Sequence, residues 1–272
     1  MSVRFWGVRG SIPCPGADTV RYGGNTACVE VRCGGNVAIF DAGSGIRLLG
    51  EALAREKAKT EIDIFLSHCH IDHLIGLPFF APLLDTGIRV RLWAGNLGPG
   101  CGVKDAVDRL MSFPLFPIGI DELKGTIEFR DFHAGDTLKP QAGMSLRTAP
   151  LRHPGGAIGY RLDCAGRSLA YVTDTELGVG TIDDGIVGLA KNADLMIIDA
   201  TFTDEELPSH EGWGHASWQQ CVRLADAAGV RRLCLFHHNP DHDDDFLDTI
   251  GRAAAAARPD TVVAREGLHI EF

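Results

Sequence analysis

Ser67-His68-Cys69-His70-Ile71-Asp72-His73 holds three imidazoles and a carboxylate within positions 68–73. The largely apolar run Ile62-Asp63-Ile64-Phe65-Leu66 precedes it, and Leu74-Ile75-Gly76-Leu77-Pro78 follows. This setting predicts that a buried strand ends at the cluster and a short helix begins there. Histidine and aspartate together suit borderline divalent ions such as zinc. A metal site is therefore expected. An ordinary polar loop would not explain a cluster wedged between two hydrophobic runs.

Composition sets the frame. The chain has 272 residues, 45% of them hydrophobic, enough for a full core. No stretch approaches the ~20 apolar residues that span a bilayer, so no membrane association is expected. Met1-Ser2-Val3-Arg4-Phe5-Trp6-Gly7 reads as a first strand and not as a basic leader with an apolar stretch. A soluble, cytoplasmic protein is the expectation. The net charge of −10 repels a phosphate backbone and argues against a long nucleic acid. A small anion stays open, because bound metal reverses the local field. The eight cysteines form no Cys-x-x-Cys pair and are expected mostly as reduced core residues, with Cys69 facing away from the metals.

Strands are expected at Val3–Val8, Cys28–Arg32, Val37–Asp41, Ile62–Leu66 and Ile88–Trp93, with a hairpin turn at Gly34-Gly35-Asn36. Further strands are expected at Ile127–Phe132, Met144–Ala149, Ala157–Leu162, Ser168–Thr173, Leu195–Asp199, Arg232–Phe236 and Leu268–Phe272. Helices are expected at Gly45–Ala58, Val103–Met111, Ser217–Ala228 and Asp243–Ala257. Asp241-His242-Asp243-Asp244-Asp245 would begin the last helix, where acidic side chains suit the positive end of the dipole. Two strand-rich halves that end in helices predict an α/β fold, two mixed sheets packed face to face and flanked by helices, in a single domain over 1–272.

Other polar residues close apolar runs in the same way: His153, Asp174, Asp199, and the pair His237 and His238. Sites in α/β folds collect beyond strand ends. With these residues in view, His-x-His-x-Asp-His at 68–73 resembles the signature of the metallo-β-lactamase superfamily. Phe5-Trp6-Gly7, Phe40-Asp41-Ala42-Gly43-Ser44-Gly45, His153, Thr173-Asp174-Thr175 and His237 follow in that family's order. The resemblance implies an αββα sandwich with two divalent ions between its sheets. It implies that His68, His70 and His153 hold one ion, that Asp72, His73 and His237 hold the other, and that Asp174 bridges them. Zinc is the default, and manganese or iron also occupy mixed histidine and carboxylate sites. Leu235-Phe236-His237-His238-Asn239-Pro240 is similar to the ribonuclease Z pattern and selects His237 over His238. Alternation along a strand would put the two on opposite faces.

Asp199-Ala200-Thr201-Phe202 and Gly214-His215-Ala216-Ser217 resemble the Glu-Ala-Thr and Gly-His-Ser-Thr segments of ribonuclease Z and related phosphodiesterases. The resemblance implies that Asp199 orients His215, which would protonate the leaving alkoxide. The competing reading makes His215 the cap of the helix near Ser217. Two cations about 3.5–4 Å apart can hold a hydroxide and neutralise phosphoryl oxygens. Asp72 could accept a hydrogen bond from that nucleophile, and Asp41 would brace a metal-binding histidine. Arg9-Gly10-Ser11 and Tyr22-Gly23-Gly24-Asn25-Thr26 are either substrate loops or plain turns. His133, His210, His242 and His269 are expected as surface or packing residues.

The leading expectation is a dinuclear metal-dependent phosphodiesterase acting on a small diester, cyclic ones included, through metal-bound hydroxide. The 20 residues between His153 and Asp174 hold two expected strands and leave no room for the tRNA-binding arm of ribonuclease Z. Hydrolysis of a thioester, lactone or β-lactam on the same scaffold is the alternative enzyme reading, and a non-catalytic metal sensor is a third. Leu77-Pro78-Phe79-Phe80-Ala81-Pro82-Leu83-Leu84 would form a homodimer interface, a cleft wall or part of the core.

Overall fold

Polar residues recur where strands end, and the strand order brings those ends together. A computed structural model describes residues 1–56, 61–178 and 180–272. The first half runs β1 (Ser2–Gly7), β2 (Cys28–Cys33), β3 (Asn36–Phe40), α1 (Ile46–Glu56), β4 (Glu61–Phe65), β5 (Arg89–Ala94), α2 (Val103–Leu110) and β6 (Thr126–Asp131). The second runs β7 (Thr137–Leu138), β8 (Met144–Leu151), β9 (Ala157–Cys164), β10 (Arg167–Val172), α3 (Asp184–Ala190), β11 (Leu195–Asp199), α4 (Trp218–Ala227), β12 (Arg232–Phe236), α5 (Asp244–Ala257), β13 (Thr261–Val263) and β14 (His269–Glu271).

One sheet has the order β14-β1-β2-β3-β4-β5-β6, and the other β13-β12-β11-β10-β9-β8-β7. In the first, β3 to β6 are parallel; in the second, β10 to β13 are parallel. Parallel neighbours put their C-terminal ends on one edge, so the loops after β3, β4, β10, β11 and β12 converge. The sheets face each other across a layer of aromatic residues. Phe40 packs on Tyr171 with ring centroids 5.1 Å apart and on Phe65 at 5.7 Å. Helices cover the outer faces, which makes the αββα sandwich of the metallo-β-lactamase fold.

Local sequence explains the elements. The β2–β3 turn is Gly34-Gly35, with φ of 57° and 87°. A two-residue hairpin needs positive φ at both central residues, which glycine adopts without steric cost. In α1 the buried residues are Ile46, Leu49, Gly50 and Leu53, one helical stripe against the sheet. Leu49→Ala would cost about 2–5 kcal/mol, because the tightly packed site cannot fully collapse. Ser217 caps α4: its Oγ accepts from the Gln220 amide at 3.0 Å, and Gln220 Oε1 accepts from the Ser217 amide at 3.0 Å. Asp243 caps α5 through the Phe246 amide.

Several boundaries differ from the sequence reading by a residue or two. Of the expected helix Gly45–Ala58, α1 covers Ile46–Glu56, and residues 57–58 lie outside the described residues. Three elements were not anticipated: β7 and β13 are too short for a periodic signal, and α3 is a seven-residue helix with two glycines. Six cysteines are free, but Cys33 and Cys164 form a disulfide across 131 residues. It ties the end of β2 to the end of β9. Spacing could not reveal this pair, because sheet packing brings the two ends together. In the apolar run 77–84, Leu77, Phe80, Pro82 and Leu83 are buried while Phe79 and Leu84 are exposed. Half of the run is core of this chain. No helix among the described residues is long and apolar enough to cross a membrane.

Candidate metal centre

Three strand-end residues share an uncommon backbone state. Asp41, Asp174 and His237 follow β3, β10 and β12 with φ of 62°, 58° and 59°. Aspartate and histidine enter this left-handed region more readily than most residues. Each such turn still costs on the order of 1–3 kcal/mol, so the surroundings must hold it. The turns aim all three side chains at the seam between the sheets.

Asp174 is the buried centre of the cluster. Its Oδ1 lies 4.0 Å from His68 Nε2 and 3.7 Å from His153 Nε2. His70 Nδ1 lies 3.1 Å from His153 Nε2 and completes that side. Asp174 Oδ2 lies 3.2 Å from His73 Nε2 and 3.3 Å from His237 Nε2. Asp72 Oδ2 joins the second side, 3.1 Å from His73 Nε2 and 3.4 Å from His237 Nε2. All seven residues expected as ligands are thus brought together, in two groups that share Asp174.

The outer hydrogen bonds fix the imidazole tautomers. His73 Nδ1 donates to Asp41 Oδ2 at 2.8 Å. His153 Nδ1 donates to the Gly214 carbonyl at 2.9 Å. The Ser67 hydroxyl donates to Asp41 Oδ2 at 2.9 Å, so its oxygen accepts from His68 Nδ1 at 3.1 Å. The Thr201 hydroxyl donates to Asp199 Oδ1 at 2.6 Å and accepts from His237 Nδ1 at 3.1 Å. Four Nε2 lone pairs therefore point toward the Asp174 carboxylate. His68 Nε2 is buried without a hydrogen-bond partner. Lone pairs facing a carboxylate repel unless positive charge lies between them, and a divalent ion supplies it. The donor set therefore fits such ions.

The charge states agree. Burial opposes the charged form of Asp72, yet His73 and His237 hold its pKa well below the usual carboxylate range. Burial likewise opposes a charge on His73, yet Asp72, Asp174 and Asp41 raise its pKa well above the ordinary value. The cluster favours positive charge at that spot. Burial pushes His68 and His153 down, toward the neutral ligand form.

His238 is turned away from the cluster. Its Nε2 donates to the Ala264 carbonyl at 2.8 Å, and burial lowers its pKa to about 3. Cys69 packs against the apolar layer beneath α1 and α2. Asp41 touches none of the seven directly except His73. It also accepts from the Ser67 amide at 2.7 Å and the Tyr171 hydroxyl at 2.7 Å.

Asp199 and His215 form a second carboxylate–histidine pair. His215 Nδ1 lies 2.8 Å from Asp199 Oδ2, which leaves Nε2 for another partner. The Thr201 amide and hydroxyl hold Asp199 Oδ1 in place. Burial disfavours protonation of His215, but Asp199 outweighs it and raises the pKa to about 9. Ser217, not His215, caps α4.

Arg9-Gly10-Ser11 acts as a bracket. The Ser11 amide, at φ 62°, donates to Asp72 Oδ2 at 2.8 Å. Gly10 lies under the His237 ring, where a Cβ would come within 2.4 Å of it. Arg9 is fully buried and donates to the carbonyls of Gly23, Asn239 and His242. In Tyr22–Thr26, Asn25 is fixed by Glu266. Of the histidines read as packing or surface, His242 is buried and pairs with Glu206 at 2.8 Å. His210 stacks on Phe202 at 4.2 Å. Ser67, Tyr171 and Thr201 were missed as supports. Ser67 and Thr201 adjoin motif residues and carried a signal, whereas Tyr171 is an ordinary strand residue in sequence.

Residues 37–238 match the profile of the β-lactamase superfamily domain. The chain belongs to the metallo-β-lactamase superfamily. It is a metal-dependent hydrolase of that superfamily. A ribonuclease Z of Gemmatimonas aurantiaca is 25% identical over 320 aligned positions, covering 99% of this chain and 95% of that protein. In fold, the chain resembles the metallo-β-lactamase fold protein YhfI from Bacillus subtilis, with TM-score 0.73, 18% identity and coverage of 100% and 98%. It also resembles human tRNase Z, short form, with TM-score 0.70, 22% identity and coverage of 100% and 99%.

Proposed function

We propose that this superfamily member hydrolyses a small phosphodiester, cyclic diesters included, with two divalent ions, zinc by default. The observation that carries the reading is the Asp199–His215 pair beside the Asp174 cluster. His68, His70 and His153 would hold one ion, Asp72, His73 and His237 the other, and Asp174 both. Bound there, the ions would supply Lewis-acid stabilisation of the phosphoryl oxygens and a water of lowered pKa.

The chain's own groups do the rest. Asp72 Oδ2 is held by the Ser11 amide, which leaves Oδ1 to accept a hydrogen bond from the attacking water. Protonated His215 donates from Nε2 to the departing alkoxide, while its Nδ1–H stays on Asp199. Such acid–base work contributes roughly 10²–10⁴-fold. Asp199 keeps the ring oriented and favours its charged form. A thioester gains less from this pair, because a thiolate leaves without a proton; a lactone or lactam leaving group needs one as an alkoxide does, and the assay below separates them.

A compact substrate is supported by the net charge of −10 and by the short 153–174 segment, which is filled by β9 and β10. Processing of a tRNA is the second reading, favoured by end-to-end similarity to a protein named ribonuclease Z. The test is a metal-quantified preparation assayed on cyclic and linear diesters, a precursor tRNA, a lactone and a thioester. Chelator-sensitive turnover of small diesters, with slower tRNA cleavage, is expected. Robust lactone or thioester hydrolysis without diester turnover would overturn the reading.

A further inference from the structure

Gly214 is gripped from two sides. Its carbonyl accepts from His153 Nδ1 at 2.9 Å, and its amide donates to Glu176 Oε2 at 3.1 Å. The residue sits at φ 85°, and a Cβ there would come within 2.3 Å of His153 Nδ1. Glycine meets both demands, the backbone state and the close approach. Gly214 also begins the peptide that carries His215, whose ring meets that of His153 edge-on at 5.3 Å. One buried backbone residue thus touches a histidine of the Asp174 cluster and leads into the histidine paired with Asp199. The chain before it is exposed at Glu211, Gly212 and Trp213, so the grip on Gly214 fixes where this loop enters the site.

Glu176 is itself held in place to do this. Its amide donates to the Arg152 carbonyl at 2.8 Å, and the Leu177 carbonyl accepts from Gln220 Nε2 at 3.0 Å. Gln220 closes the cap at the start of α4. The Glu176 backbone is therefore tied to the residue before His153 and to the helix after His215. Its side chain is 13% exposed and lines, with His215, a pocket of about 470 Å³. Glu176 Oε1 lies 3.1 Å from Arg152 Nη2, but Arg152 is 68% exposed, and exposed ion pairs contribute little. The bond from the Gly214 amide to the carboxylate is of the charge-assisted, stronger kind.

We propose that Glu176 is a positioning residue shared by the metal centre and the acid. Through Gly214 it sets the His153 ring and the entry of His215. The His215 half rests on the phosphodiesterase reading, and the His153 half on the metal centre alone. Because the Glu176 backbone is fixed, reach matters more than charge. Glutamine keeps the length and an oxygen for the Gly214 amide. Aspartate keeps the charge but ends one carbon–carbon bond, about 1.5 Å, short.

The test compares Glu176→Gln, Glu176→Asp and Glu176→Ala, with circular dichroism as the check on folding. Zinc affinity is read without turnover, by competition with a chromophoric chelator. Turnover by the zinc-saturated protein is read on ethylene phosphate, whose leaving group is an alkoxide, and on bis(4-nitrophenyl) phosphate, whose stable phenolate leaves without an acid. Glu176→Asp and Glu176→Ala should each weaken one zinc equivalent about tenfold. Both should lower kcat on ethylene phosphate about tenfold more than on the aryl diester. Glu176→Gln should recover most of both losses. An ion pair with Arg152 as the residue's whole role predicts the reverse order, Asp above Gln, and that order would overturn the proposal. A parent-like value of either readout in the folded Asp variant would overturn the shared role. If the parent turns over neither diester, the phosphodiesterase reading fails, and zinc affinity alone decides whether Glu176 positions His153.

Discussion

His73 and His215 are each held through Nδ1 by a buried carboxylate at 2.8 Å, Asp41 in one case and Asp199 in the other. Their other nitrogens differ. His73 Nε2 lies within 3.3 Å of Asp72, Asp174 and His237, buried in the cluster. Among the described residues no hydrogen bond or ion pair engages His215 Nε2, and His215 lines an open pocket. On the proposed reading the same pairing would serve two ends. Where the far nitrogen meets anionic groups, the pair would present a lone pair to a cation. Where it does not, the pair would present a proton to substrate. The carboxylate sets the tautomer in both, and the surroundings set the task.

The largest expected effect tests the first half of that contrast. His73→Ala should lose one equivalent of metal and lower turnover beyond roughly 10⁴-fold, past the range of acid–base catalysis alone. Elemental analysis alongside kinetics reads both, and full metal content in this variant would break the contrast. Next, His215→Ala should lose about 10²–10⁴-fold in kcat with metal content intact. Asp199→Asn should move the alkaline limb of the rate profile to lower pH. On the proposed reading the acid form of His215 is the active one, and removing the negative partner would lower its pKa. A limb that stays put would make Asp199 merely structural.

Asp41→Asn comes third. Removing the charge behind His73 should weaken metal affinity by about 10–100-fold, as for other outer carboxylates on metal-binding histidines. Competition with a chromophoric chelator measures it. A change in kcat with unchanged affinity would blur the distinction between the two pairs.

The smallest effect concerns a third histidine–carboxylate pair, Glu206 with His242. Burial acts to raise the Glu206 pKa, but His242 and the Thr203 hydrogen bonds together outweigh it and the net shift is downward. A lowered carboxylate pKa stabilises the fold above the unfolded value of about 4.5 and loses that contribution as pH falls through the folded value. Glu206→Gln should therefore melt below the parent at pH 7, and the gap should close as pH falls below about 4. A gap independent of pH would remove electrostatics from this pair. Because the Glu206 side chain is 31% exposed, solvent screens the pair and the gap should be small.

Legibility in the sequence followed locality. The His68–His73 cluster stood out because one loop carries four of its groups. His153, Asp174, Asp199 and His237 were visible as polar residues closing apolar runs, and only the sheet order shows that those runs end on one edge. Arg9–Ser11 read as either a substrate loop or a plain turn, because an exposed arginine and a buried one read alike in one dimension. The fit of Gly10 under His237 depends on a contact across more than 200 residues. The pocket beside His215 left no motif, since its walls come from four separate segments. The Cys33–Cys164 pair was hidden for the same reason.

That disulfide gives the oxidised chain the covalent form of a lariat. The closed loop carries the His68–His73 segment, His153, β8 and β9, while Asp174, Asp199, His215 and His237 hang on the C-terminal tail. A protease cut at the exposed Gly98–Gly100 turn would open the loop without releasing a fragment. His68, His70, Asp72 and His73 on one side of the cut and His153, Asp174 and His237 on the other would then belong to one covalent molecule until a thiol reductant parted them.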